Sequence, residues 1–197
     1  MDSTLKATKE HCAFCFKVLI ETLDRKLQPA WPSSLAAGSC PLFVTWYKGK
    51  GEDLRGCIGT FAAGDLKSVL PKYAKIAAFE DTRFDPVSRN EVDKLICGVS
   101  FLTNFEEGYK AYDWEVGKHG IIIDFKDPAT GTKRNATFLP EVAPELGGDK
   151  DVTLKHLISK AGFKGNYKDV VNDIKLTRYQ SSKEKLSYSE FIAKFNA

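Results

Sequence analysis

Leu54-Arg-Gly-Cys-Ile-Gly-Thr-Phe61 is the stretch of this 197-residue sequence whose residue types and spacing most suggest chemistry. Two glycines weaken a strand, and they usually mark a bulge or a place where backbone or ligand approaches closely. With side chains alternating along a strand, Arg55 and Cys57 share one face while Leu54 and Ile58 share the other. Gly56 and Gly59 add no bulk, so the segment could floor a ligand groove. Cys57 reads either as a nucleophile whose thiolate Arg55 favours, or as a small buried residue chosen for volume. Arg55 reads either as an anion anchor or as the cation of a carboxylate clamp that locks the fold.

Three further groups stand out. Glu80-Asp-Thr-Arg-Phe-Asp-Pro86 crowds three acids and an arginine into a helix exit. It is read as a local clamp between Arg83 and a carboxylate, with Asp81 or Arg83 reaching the groove as the functional alternative. Of the 3 histidines, His119 is preceded by Gly117-Lys and followed by Gly120 just before a strand, where a base for a cysteine would stand. A hydrogen-bonded structural role is the alternative. Thr137-Phe-Leu-Pro-Glu-Val-Ala-Pro-Glu145 carries Glu141 on a rigid course, either as a connection or as a groove wall. No histidine spacing points to a metal site, and no phosphate-loop, dinucleotide or nucleophile-elbow spelling occurs, so no cofactor is expected.

The elements that must position these groups follow from periodicity. Cys12, Cys15, Phe16, Leu19, Ile20, Leu23 and Leu27 repeat at helical spacing behind a Thr8 cap, with Pro29 and Pro32 closing the helix. The Cys12–Cys15 pair falls on that apolar face, so both are read as buried thiols. Strands are predicted over 42–47, 53–61, 95–105, 120–125, 132–139 and 170–179. Asp65 caps a second helix that Pro71 should kink or split. Asp151 is predicted to cap a third helix that includes Val152 and stops at Gly162. Ser187-x-x-Glu190 spells a capping box for a short last helix. Hairpins imply antiparallel pairing, so the fold class is α+β: antiparallel-rich sheets with helices, arranged as two related β-β-α-β units after an N-terminal helix. Residues 1–197 are read as a single domain, with two lobes sharing one core.

Composition narrows the function. The net charge is +3, from 29 basic and 26 acidic residues. That excess is spread along the chain, which argues against nucleic acid as a partner. The start, Met1-Asp-Ser-Thr-Leu-Lys6, lacks the apolar run of a signal peptide, and no stretch is long enough to span a membrane. Five unpatterned cysteines suit a reducing compartment. The expectation is a cytoplasmic protein, small enough to enter the nucleus, with no membrane partner.

The stretch Leu54–Gly59 resembles the signature of the AMMECR-type domain family, named for the Alport syndrome and elliptocytosis chromosomal region. Ala77–Phe84, Val99-Ser-Phe-Leu102, Val116–Gly120, Phe138–Val142 and Lys160-Ala-Gly162 agree with it in order. The resemblance implies an α+β domain of unestablished biochemistry, whose prokaryotic relatives occur beside Memo-like and radical-SAM proteins. Those pathways supply the partner expectation. The family pattern carries over to Arg55, Gly56, Cys57, Gly59, Asp81, Arg83, His119, Gly120, Pro140 and Glu141. The turn over 126–134 and the lack of tryptophan after residue 140 depart from many relatives. Two functions follow as expectations. One is a module binding a ligand or protein partner in a groove at Leu54–Gly59, using Arg55, Gly56, Gly59, Asp81, Arg83 and Glu141. The other is a small enzyme with Cys57 as nucleophile and His119 as base.

Overall fold

The computed structural model describes residues 5–195. The first four residues of the stretch read above for a signal peptide lie outside that range. Of the described residues, 5–103 and 182–195 form one compact unit and 104–181 form another. Antiparallel strand ladders occur in each unit, so the class is α+β.

The first unit opens with helix α1, Lys9–Leu23, which buries Cys12, Cys15, Phe16 and Leu19 as the spacing predicts. His11 Nδ1 accepts the Thr8 N–H at 3.2 Å, closing the first turn. Leu27 departs from the predicted stripe and is 90% exposed. Arg25 adopts a left-handed φ of 56°, which turns the chain out of the helix before Leu27.

Strands β1, Ser39–Lys48, and β2, Asp53–Asp65, form a hairpin, and β3, Leu95–Tyr109, pairs with the other side of β1. Helix α2, Leu66–Phe79, follows β2 directly, and Asp65 caps it by accepting the Lys67 N–H. Pro71 does not split this helix, which runs unbroken through it. The carbonyl its missing N–H leaves free belongs to Lys67, in an exposed turn where water reaches it. Trp46 Nε1 donates to Ala74 O at 3.0 Å and pins α2 onto β1. The core of this unit gathers Leu42, Val44, Trp46, Leu70 and Phe101 with the apolar face of α1. The final helix α5, Tyr188–Phe195, starts with the predicted box: Ser187 N–H donates to Glu190 Oε2 at 3.0 Å.

The second unit repeats the element order. Strand β4, Gly120–Lys126, is central, flanked by β5, Lys133–Phe138, and β6, Lys175–Ser187, whose first residues lie here. A one-turn helix α3, Val142–Glu145, precedes helix α4, Lys150–Lys160. Asp149, not the expected Asp151, caps α4 by accepting the Val152 N–H at 3.0 Å, and Val152 is 39% exposed. Residues 167–169 and 171–173 form short 3₁₀ turns, so β6 starts five residues later than predicted. Asn166 accepts the Lys168 N–H and opens the first of those turns. A separate core gathers Ile121, Ile123, Leu154, Leu157, Ile158 and Leu176. Each unit therefore runs β-β-α-β, with its first strand in the middle.

Candidate functional site

Gly56 and Gly59 are close-approach positions, but what approaches is the protein itself. A Cβ on Gly56 would sit 2.0 Å from the Ala77 carbonyl oxygen of α2. One on Gly59 would sit 2.3 Å from Leu42 O and 2.4 Å from the Phe43 ring. The expected recess above these glycines is filled by helix backbone on one face and an aromatic ring on the other. The open space lies beside them. A wide cleft of about 810 Å³ is lined by Lys48, Arg55, Thr82, Arg83, Phe84 and Glu91, among others, all in the first unit.

Arg55 closes a fork on Glu91: Nε donates to Oε2 at 3.1 Å and Nη2 to Oε1 at 3.0 Å. Lys48 Nζ donates to Glu91 Oε2 at 2.7 Å, and the Ser88 N–H to Oε1 at 2.9 Å. Burial raises the Glu91 pKa, but the bonds from Arg55, Lys48 and Ser88 outweigh it and hold the carboxyl at about 2. Arg55 Nη1 is buried with no hydrogen-bond partner among the described residues. Glu91 was not singled out from the sequence. Ser88-x-x-Glu91 is the same capping-box spelling that located the last helix, and it opens the 3₁₀ turn Arg89–Lys94.

The predicted Arg83 clamp is present. Arg83 Nε and Nη2 donate to the two oxygens of Asp81 at 2.9 and 2.7 Å. The Arg83 guanidinium, opposed by burial and aided by the Cys57 N–H, holds the Asp81 carboxyl well below the usual range. The Cys57 N–H donates to Asp81 Oδ2 at 2.9 Å, and the Cys57 carbonyl accepts Arg83 Nη2 at 3.3 Å. Strand β2 lies at the sheet edge. Asp81 and Arg83 therefore occupy the backbone groups a neighbouring strand would take. Arg83 nonetheless keeps 55% of its side chain exposed, with its guanidinium carbon 5.5 Å from the Phe84 ring centroid.

Cys57 is half-buried, and Thr45 Oγ1 donates to its sulfur at 3.2 Å. The other four cysteines are buried, Cys12 and Cys15 included, as read from the sequence. His119 belongs to the second unit and is buried. Its Nδ1 accepts the Glu115 N–H at 2.9 Å, so the neutral ring carries its proton on Nε2. Burial, then the Arg178 and Lys118 charges, push its pKa down and keep it neutral. Glu141, also in the second unit, stands at the N-cap of α3. Gly120 meets the Tyr179 ring, where a Cβ would lie within 2.4 Å. No group of three or more metal-ligating side chains occurs among the described residues, and none of their helices is long and apolar enough to cross a membrane.

The sequence pattern of AMMECR1 matches residues 12–184. The chain belongs to the AMMECR1 family. An uncharacterised protein of Arabidopsis thaliana is 42% identical over 193 residues, covering 96% of this chain and 89% of that protein. One from Schizosaccharomyces pombe is 42% identical over 187 residues, covering 93% and 95%. The crystal structure of an uncharacterised Pyrococcus horikoshii protein superposes with a TM-score of 0.71 at 25% identity, covering 91% of each chain. AMMECR1-family membership and this shared fold thus agree along nearly the whole chain, and the Arg55–Gly59 and Asp81–Arg83 segments fall inside the matched range.

Proposed function

We propose that this AMMECR1-family protein is a binding module whose working surface is the cleft beside the start of β2. The observation that carries this reading is Arg83. Its side chain is more than half exposed, yet three hydrogen bonds to Asp81 and Cys57 fix the guanidinium in place. An arginine already ordered loses little freedom on binding, and exposed arginines flanked by an aromatic ring are common anchors at interfaces. Its neighbours in the cleft, Lys48, Arg55 and Glu91, are equally preordered. The surface is polar and close to charge-balanced, which suits a carboxylate or carbonyl-rich part of a ligand or protein partner.

The alternative, Cys57 as nucleophile with His119 as base, draws less support. A base must offer a lone pair, and the His119 lone pair at Nδ1 is taken by the Glu115 N–H. The Thr45 hydroxyl that donates to the Cys57 sulfur is a contact that favours a working thiol.

The binding reading is tested by isolating wild-type and Arg83→Ala protein from the native source and comparing co-purifying proteins and metabolites by mass spectrometry. A ligand or partner retained by the wild type and lost from the folded variant is expected. An unchanged set would remove the cleft from consideration.

A further inference from the structure

The second unit carries a different cavity. It measures about 560 Å³ and sits where α4 ends and the chain runs through Gly162-Phe-Lys-Gly165. Ile158 and Phe163 are buried in the core of the unit and supply an apolar floor. Phe163 packs edge-on against Phe125, with ring centroids 5.9 Å apart, which holds that floor in place. Lys155, Ser159, Lys164 and Tyr167 stand around it. No carboxylate lines this cavity, in contrast to the cleft of the first unit.

Two details make the charge available. Neither Lys155 nor Lys164 has an ion pair or side-chain hydrogen bond among the described residues, and both are exposed. Of the last four carbonyls of α4, which would repel an anion, three are occupied. Leu157 O, Ile158 O and Ser159 O accept the N–H groups of Ala161, Phe163 and Gly162. Outside the lining, the Tyr167 hydroxyl donates to Asp151 Oδ1 at 3.4 Å. Gly165 is needed for the shape. A Cβ there would lie 2.6 Å from the Phe163 ring, so only glycine lets that ring fold against the loop.

We infer that this cavity, floored by Ile158 and Phe163 and rimmed by Lys155 and Lys164 without a carboxylate, is a binding site for a ring compound carrying a phosphate monoester. A flat ring suits the apolar floor, and a dianion suits two separate ammonium groups, which bind phosphate oxygens as point charges. The site is independent of the cleft at Arg83.

The test is a titration of the isotope-labelled full-length protein with phenyl phosphate, inorganic phosphate and benzoate, read by amide chemical shifts. Phenyl phosphate is expected to give saturable shifts centred on Ser159 and residues 162–167. Its affinity should exceed that of either inorganic phosphate or benzoate by about tenfold, and fall by about tenfold or more in the Lys155→Glu/Lys164→Glu variant. Shifts that do not saturate, that scatter over other surface lysines, or that persist in the variant would overturn the inference, as would equal binding of inorganic phosphate. Both lysines are exposed, and an unchanged spread of amide shifts checks that the variant folds.

Discussion

The two units share one plan and use it differently. In each, a central strand carries a hairpin partner on one side and the strand after the helix on the other. The arginine near the start of the hairpin's second strand is ion-paired in both. Arg55 grips Glu91 and Arg134 grips Asp127, carboxylates whose side chains are 9% and 8% exposed, and Arg134 also donates to Ala161 O. In the first unit the helix lies so close to the strand that Gly56 is required, and two carboxylates are drawn in to neutralise the cations. In the second, the cavity at the helix end keeps Lys155 and Lys164 without an ion pair among the described residues. Topology alone therefore does not place a site; the residues grafted on it do.

The contrast predicts unequal costs for matched substitutions. Removing the carboxylate of Glu91 strands Arg55, whose side chain is 13% exposed, so Glu91→Ala should lower stability by about 3 kcal/mol in denaturant unfolding. Asp127→Ala should lose only about 1 kcal/mol, because Arg134 retains its carbonyl bond and contact with water. Similar costs for the two variants would erase the distinction between the units. Gly56→Ala comes next, at about 3 kcal/mol, since the new methyl meets helix backbone rather than a movable side chain. In the second unit, Gly131→Ala in the turn before β5, with φ +69° and open space around it, should cost only about 1 kcal/mol through backbone strain.

Acid gives a smaller version of the same difference. Glu91 titrates at about 2 in the fold against 4.5 outside it. A carboxyl depressed by folding stabilises fully above its unfolded value and loses that contribution as pH falls through its folded one. Stability should therefore fall by about 1 kcal/mol between pH ~4.5 and ~3.5 in the wild type, and this part of the slope should vanish in Glu91→Gln. Smallest in energy is thiol access. Alkylation of the folded protein should label Cys57 and spare the four buried cysteines, as peptide mass mapping would report. Labelling of Cys12 or Cys97 at the same rate would mean that the core of the first unit opens.

Much of this architecture is legible in local spelling. Asp65, Thr8 and the Ser187/Glu190 box act within one helical turn, so sequence alone locates them. Leu27 and Pro71 mislead for related reasons. The turn at Arg25 needs a left-handed residue that no glycine announces, and Pro71 sits where its lost hydrogen bond falls to solvent. The site was half visible. Arg55, Cys57, Asp81 and Arg83 do converge. The glycines suggest room for a ligand, but what they admit is Ala77 and Phe43. That distinction depends on which element packs against β2, a long-range fact with no local signal. Glu91, by contrast, has a readable spelling in Ser88-x-x-Glu91, whereas nothing local marks Lys48 as its partner. His119 lies in the other unit, where its ring closes a local turn on Glu115.

The central claim is that the Arg83 cleft meets the protein's partner or ligand. A photo-crosslinking residue in place of Thr82, which lines that cleft, tests it most directly when compared with one in place of Ser159 in the second unit. Irradiation in the native cell should give a discrete adduct from the Thr82 position that disappears when Arg83→Ala is added. An adduct that survives that change, or one that forms only from the Ser159 position, would contradict the account.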